Sequence, residues 1–227
     1  MNTIFRQSDY IDFNTGTVKI APMELQQSLR AADRRPESLV LFECRVEVWQ
    51  LGVAVQMLRE MECPGRPPCS IWSHAAYGLI AVAFSYFEMI GKSLNPQSRK
   101  ANTAKADFNF GFCDVYPDYV PHSSRYSDPE VPVVAALRDR VRNGMYHLAY
   151  TKKNLIIHHD PRISSKDFDF KPDRGDTSGV YFLDPHLMIR SIVDHFPTFI
   201  RRLRDTDERF RPMQTKFDEF VSEFHTP

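Results

Sequence analysis

Apolar residues recur along most of this chain at spacings of three and four. After Pro36, the positions Phe42, Val46, Trp49, Val53 and Met57 form one stripe, with Glu43, Arg45, Glu47, Gln50 and Arg59 off it. That pattern predicts a long amphipathic helix, ended by Cys63-Pro64-Gly65-Arg66-Pro67-Pro68. Ser70 caps a second helix, apolar all round from Ile71 to Ile90 and closed before Asn95-Pro96. Between 96 and 128 the chain is polar and broken. Ala101–Phe110 has helical character, and Asp114 to Pro129 reads as a loop. Pro129 and Glu130 open a helix whose buried stripe is Val134, Leu137, Val141, Met145 and Leu148. Two short strands, Leu155–His158 and Gly179–Leu183, flank a polar excursion from Asp160 to Ser178. Asp184-Pro185 starts a helix with Ile189, Ile192, Phe196, Phe199 and Leu203, and Pro197 is expected to kink it. The last helix carries Phe210, Met213, Phe217, Phe220 and Phe224. Ahead of all these, residues 1–20 alternate weakly around Asn14-Thr15-Gly16, as a strand pair or an irregular arm, and a short helix follows Pro22 to Ala32.

The expected fold is therefore mainly α, a helical bundle with a small β-hairpin at about 153–183, ahead of the C-terminal helices. Residues 1–35 form an N-terminal arm with its short helix, and 36–227 form the bundle domain. Ile71 to Ile90 is long enough to cross a bilayer. It nevertheless holds Ser73, His74, Ser85 and Glu88, and no second such segment follows. Ionisable groups in a lone span are costly, so the segment reads as the central helix of the bundle and no membrane partner is expected.

Charge narrows the functional classes. With 29 basic and 29 acidic residues among 227, the formal net charge is zero, and 42% of the chain is hydrophobic. This excludes a disordered chain and a binder that holds nucleic acid by bulk positive charge. Any nucleic-acid site must be a local patch. Cys44, Cys63, Cys69 and Cys113 contain no Cys-x-x-Cys pair and no histidine at metal spacing, so they read as free thiols in a reducing compartment, without a structural metal. The opening MNTIFRQSDYIDF lacks a basic and an apolar signal region, which makes the cytoplasm the expected location.

Phosphate-loop, dinucleotide, zinc-protease and serine-hydrolase motifs are missing. His158 and His159 point to opposite faces of a strand. His186 and His195, nine apart and half a turn out of phase, read as surface or capping residues. The informative segment is Arg138-Asp139-Arg140-Val141-Arg142-Asn143-Gly144-Met145-Tyr146-His147. Its bland reading is a solvated face around Asp139, with His147 favoured near a helix C-terminus.

Arg142-Asn143-x-x-x-His147 resembles the arginine–histidine motif of HEPN-domain proteins, helical bundles that include many toxin and antiviral ribonucleases. The resemblance is tight over the motif and loose from about Ser70 to Phe224. It leaves the first sixty residues and the hairpin unexplained. It implies a HEPN-like bundle, a metal-independent endoribonuclease in a toxin or phage-defence setting, no cofactor, RNA as substrate, a homodimer, and an antitoxin or other protein as a further partner. Its catalytic residues would be Arg142, Asn143 and His147.

The residue types suit that chemistry. Metal-free RNA cleavage uses the ribose 2′-OH as nucleophile, so protons must move and a crowded phosphorane must be stabilised. Histidine does either proton job near neutrality, and arginine offers two phosphate oxygens a planar fork. Asn143 orients His147 or contacts phosphate. Arg142 and His147 lie about 140° apart around a straight helix, so one cleft needs a second copy or a wrapped helix. Arg138, Tyr146 and Lys152, with Lys153 beyond, extend the substrate side. Residues 138–153 hold five basic residues against one acid, net +4. Tyr146 stacks a base or packs in the core. Glu88 either pairs with Lys92 or holds Arg142. The competing class is a catalytically inactive HEPN-like module that dimerises and binds a protein partner or nucleotide.

Overall fold

The computed structural model describes residues 11–12, 17–18, 35–61, 71–95, 103–119, 132–138, 141, 155–157, 168–171 and 180–222. In chain order these form β1 (Ile11–Asp12), β2 (Thr17–Val18), α1 (Arg35–Arg45), a π-helical segment (Val46–Leu51), α2 (Gly52–Met61), α3 (Ile71–Leu94) and α4 (Ala104–Val115). A 3-10 turn follows at Pro117–Tyr119, then α5 (Pro132–Leu137), β3 (Leu155–Ile157), β4 (Phe168–Lys171), β5 (Val180–Leu183), α6 (Pro185–Arg204), a 3-10 turn at Glu208–Phe210 and α7 (Arg211–Ser222). The architecture is a mainly α bundle. β1 and β2 pair antiparallel across the Asn14-Thr15-Gly16 turn signal.

α3 is the central helix. Leu79, Ile80, Ala83, Phe84, Tyr86, Phe87 and Ile90 are all at most 1% exposed and form one broad face, while Ser85 and Lys92 are exposed on the opposite side, so the helix is buried on one side and not all round as its uniform apolarity predicts. Among the described residues no helix is long and apolar enough to cross a membrane. α3 meets α4, α6, α7 and α2. Rings from α3 and α4 fill the centre: Phe87 packs edge-on to Phe112 at 5.4 Å, and Phe84 lies 5.0 Å from Phe108. Phe42 of α1 stands edge-on to Phe217 of α7 at 4.9 Å.

The α3–α4 contact is unusually close, and two glycines allow it. A Cβ added to Gly91 would sit 1.6 Å from the carbonyl oxygen of Asp107, and one added to Gly111 would sit 1.8 Å from that of Phe87. Either methyl would have to force the two backbones apart. The connection is pinned as well. Asn95 Nδ2 donates to Asp107 Oδ1 at 2.7 Å, and Thr103 Oγ1 donates to Asp107 Oδ2 at 3.1 Å. Burial outweighs these bonds and raises the Asp107 pKa above the usual carboxylate value.

Three further expectations change. First, the stripe Phe42, Val46, Trp49, Val53, Met57 does not stay on one side: Trp49 and Val53 are exposed, and the buried run passes from Val46 to Leu51, Ala54, Leu58 and Met61. The step of five from Val46 to Leu51 spans the π-helical segment, where Gly52 N–H donates to Glu47 O. A π turn takes in one extra residue, rotating everything beyond it by about 100°. Second, α4 runs to Val115, so Asp114 lies in a helix and not in a loop. Third, the two expected strands are not hairpin partners. β3 and β5 run parallel, and β4, from inside the polar excursion, pairs antiparallel with β5. The short helix expected at Pro22–Ala32 lies outside the described residues.

These contacts give a paired prediction. Gly91→Ala should destabilise the chain by roughly 3 kcal/mol or more in urea denaturation, because the clash is with backbone. Gly78→Ala meets only the mobile Cε of Met57, at 2.7 Å, and should change stability by about 1 kcal/mol at most, with helix propensity in its favour. Equal effects from both would remove the claim that α3 and α4 need glycine contact.

Candidate functional site

The described polar cluster is assembled from three helices. His195 and Arg202 are seven residues apart on α6, close to two full turns, so both project from one face. α6 is placed by its own start: Asp184 Oδ1 accepts from the backbone N–H of His186 at 2.9 Å and of Leu187 at 3.2 Å, with Pro185 following. Tyr86 comes from the middle of α3 and Asp114 from the last turn of α4.

Asp114 is the hub. Arg202 Nη1 donates to Asp114 Oδ1 at 2.7 Å and Nη2 to Oδ2 at 2.5 Å, a bidentate pair. His195 Nε2 lies 3.0 Å from Asp114 Oδ2, and His195 Nδ1 lies 2.8 Å from the Tyr86 hydroxyl. Only one tautomer satisfies this pattern. Nε2–H donates to the carboxylate, and Nδ1 accepts from Tyr86 O–H. With the proton on Nδ1, the Nε2 lone pair would face an anionic oxygen. The guanidinium of Arg202 also lies over the Phe199 ring, 5.6 Å from its centre.

The electrostatics follow. Burial alone would raise the Asp114 pKa, but the hydrogen bonds from His195 and Arg202 and the Arg202 charge outweigh it and hold the carboxyl at about 2. Burial, then the Asp114 charge, pushes the Tyr86 phenol well above 10, and the pairing with Asp114 raises Arg202 further. Asp, His and Tyr in a row have the form of a proton line. This one ends inside the core, because the Tyr86 side chain is fully buried and is held in its neutral form. The arrangement is a clamp joining α3, α4 and α6. His186, expected as a surface or capping residue, is buried in the first turn of α6, and His195, expected likewise, is partly buried in the clamp. The clue to His195 was its spacing to Arg202; the acid it needs is 81 residues away.

Of the residues expected to carry chemistry, Arg142, Asn143, Tyr146, His147 and Lys152 lie outside the described residues. The lead-in to them is described. Val134, Leu137 and Val141 are buried, as the stripe predicts, and the helix turns π-helical at Arg138. Arg138 is half-buried, with Nη1 3.5 Å from Asn109 Oδ1 on α4. Glu88 is half-buried on α3, where its charge raises the pKa of Asp107, the next acid across on α4. Lys92 lies over the Phe220 ring at 5.8 Å. Arg138 thus faces α4 at Asn109. Cys44 and Cys113 are free buried thiols, each pushed up to about 11 chiefly by burial, which is the opposite of what a nucleophilic thiol needs. No group of side chains that could hold a metal ion occurs among the described residues.

Comparison with protein-family models, with curated proteins and with solved structures finds no match.

The clamp sets an acid-stability prediction. Asp114 is depressed in the folded state, so its contribution is present above the unfolded carboxylate pKa and is lost as pH falls from about 4 towards 2. The size is roughly 2 kcal/mol. Asp107, raised on folding, works with the opposite sign and favours the folded state as it protonates. Asp114→Asn should therefore lower stability at pH 7 by about 2–4 kcal/mol and flatten the acid limb of the stability curve below pH 4. An unchanged acid limb in urea titrations of the variant would show that Asp114 is not the group responsible.

Proposed function

We propose that the chain is a metal-independent endoribonuclease of the HEPN type, acting in the cytoplasm as a toxin or phage-defence effector. The observation that carries this reading is the Arg142-Asn143-x-x-x-His147 motif, placed directly after a helix whose Val134, Leu137 and Val141 are buried in a mainly α bundle. A core-anchored lead-in is what a catalytic helix needs, since reacting groups must be held to a fraction of an ångström. The net +4 between residues 138 and 153 supplies the local patch that a neutral chain requires.

In this reading Arg142 binds the scissile phosphate through its fork, and His147 moves a proton to or from the reacting oxygens. Asn143 orients His147 or contacts phosphate. The helix bearing Arg142 lies near a two-fold axis, where two copies complete one cleft. Arg138, Tyr146 and Lys152 flank the substrate, and Glu88 steadies Arg142 from α3. An antitoxin or another protein is a further partner.

The test is to incubate the purified chain with total RNA in EDTA. Cleavage is expected, and Arg142→Ala should abolish it. His147→Ala should reduce the rate by about 10² to 10⁴ while shifting stability by about 1 kcal/mol or less. Arg142→Lys should fail too, because an ammonium cannot make the two-oxygen contact. RNA affinity should fall with salt at a log–log slope of roughly −3 to −4 for single strands. Intact RNA with the parent chain, together with a large loss of melting temperature in His147→Ala, would favour the catalytically inactive module.

A further inference from the structure

The end of α6, the turn after it and the first turn of α7 enclose, with α1, a cavity of about 510 Å³. Leu39, Val40 and Leu203 give it an apolar wall, and Asp205, Thr206 and Gln214 contribute polar atoms. The volume is far beyond a bare ion and falls among small-molecule sites, roughly 300–1,000 Å³. Gln214 is only 8% exposed, and its neighbours fix its amide. Nε2 donates to Arg202 O at 3.2 Å and to Asp205 O at 2.6 Å, and only the NH2 end can serve two carbonyl oxygens. Gln214 Oε1 is left as an acceptor with no partner among the described residues.

Charge makes the same demand. Of the carboxylates lining the cavity, Asp207 is paired with Arg209 at 2.7 Å and Glu208 with Arg211 at 3.1 Å. Asp205 has no such cation: its Oδ1 accepts from the Asp207 backbone N–H at 2.9 Å, and no ion pair reaches it among the described residues. It also stands at the C-cap of a 20-residue helix, where the dipole already favours positive charge. The arginines of that last turn do not answer it. Arg202 is held by Asp114, Arg204 by Glu43, and Arg201 does not line the cavity. We propose that this cavity binds a small aliphatic ammonium ion, with its charge on the Asp205 carboxylate and Gln214 Oε1 and its carbon chain against Leu39, Val40 and Leu203. An ammonium group brings donors and no acceptor, which is what these two oxygens require. An anion would find both lining guanidiniums, Arg204 and Arg211, already occupied by carboxylates. A bare divalent metal lacks its ligands, since no group of side chains that could hold one occurs among the described residues. The proposal does not rest on the ribonuclease reading.

The experiment is an NMR titration of the nitrogen-15-labelled full chain with the diamine putrescine, from about 10 µM to about 10 mM, a range that covers weak affinities. Sodium chloride, magnesium chloride and sodium acetate at matched ionic strength are the controls. The Gln214 side-chain amide and the Asp205 and Thr206 backbone amides should move saturably with putrescine alone. Asp205→Asn keeps the Oδ1 acceptor for Asp207 and removes the charge, so it should weaken binding about tenfold or more. Arg211→Ala releases Glu208 and should tighten the binding of a cation, where an anion site would lose affinity. Four results overturn the proposal: no saturable movement with the parent, equal movement with magnesium or acetate, parent affinity in Asp205→Asn, or weaker binding in Arg211→Ala.

Discussion

Backbone contact between α3 and α4 at Gly91 and Gly111 sets the position of everything that follows in the bundle. With no Cβ on either residue, the Phe87 and Asp107 carbonyls come within what would be bonding distance of a methyl carbon. That closeness brings Phe108 and Phe112 against Phe84 and Phe87 as a continuous ring layer, where dispersion and apolar burial act together. It also decides which way the far end of α4 points, and Asp114 sits there. A bundle with alanine at these positions would hold α4 farther out, and Asp114 could not meet Tyr86, His195 and Arg202 at hydrogen-bond distances.

The clamp around Asp114 is the second consequence. A carboxylate with little exposure is tolerable only if its lone pairs are filled, and here two guanidinium N–H groups and one imidazole N–H fill them. Its neighbours are equally dependent. Tyr86 has a buried hydroxyl that needs an acceptor, and His195 Nδ1 supplies it. Such a closed set adds less to net stability than its bond count suggests, since desolvation opposes the Coulomb gain. What it adds is uniqueness: α6 docks with one register against α3 and α4, because shifting it by a turn would leave an anion buried alone. Arg204 to Glu43 supplements this at the same end of α6, joining it to α1.

Much of this architecture was legible because burial is periodic. The central place of the Ile71–Ile90 helix, the Asp184-Pro185 start of α6 and the Val134–Leu137–Val141 stripe all reappear as drawn. The misreadings have separate physical causes. A stripe is extrapolated at a fixed helical step, so the π turn at Val46–Leu51 placed Trp49 and Val53 on the wrong side. α4 carries Asn109 and Gly111, poor helix formers, and is held by its glycine contact with α3, a tertiary override of propensity. β4 has a legible pattern, Phe168 and Phe170 alternating with Asp169 and Lys171, set inside a segment that is otherwise polar. The direction of β3 against β5 was beyond reach, as strand patterns carry no sign of polarity. His195 became meaningful only beside Asp114, a partner that local spacing cannot supply. The Arg142–His147 motif was the reverse case, a residue pattern with chemistry in it and no dependence on long-range contact for its recognition.

α4 connects these observations. On one side it presses on α3 through Gly111, at its end it holds α6 through Asp114, and at Asn109 it receives Arg138 from the helix that leads to Arg142. Only the first of these is rigid by steric necessity; the second depends on charge, and the third is a long hydrogen bond at 3.5 Å. Among its described residues, the helix that leads to Arg142 is tied to the bundle by Val134, Leu137 and Val141, and by one long contact at Arg138. That division suits a helix asked to present charged groups to a polyanion. Apolar contacts fix its axis, and the long Arg138–Asn109 contact leaves a guanidinium that phosphate can compete for. A strong buried pair at Arg138, of the kind Arg202 makes, would have removed that cation from the patch.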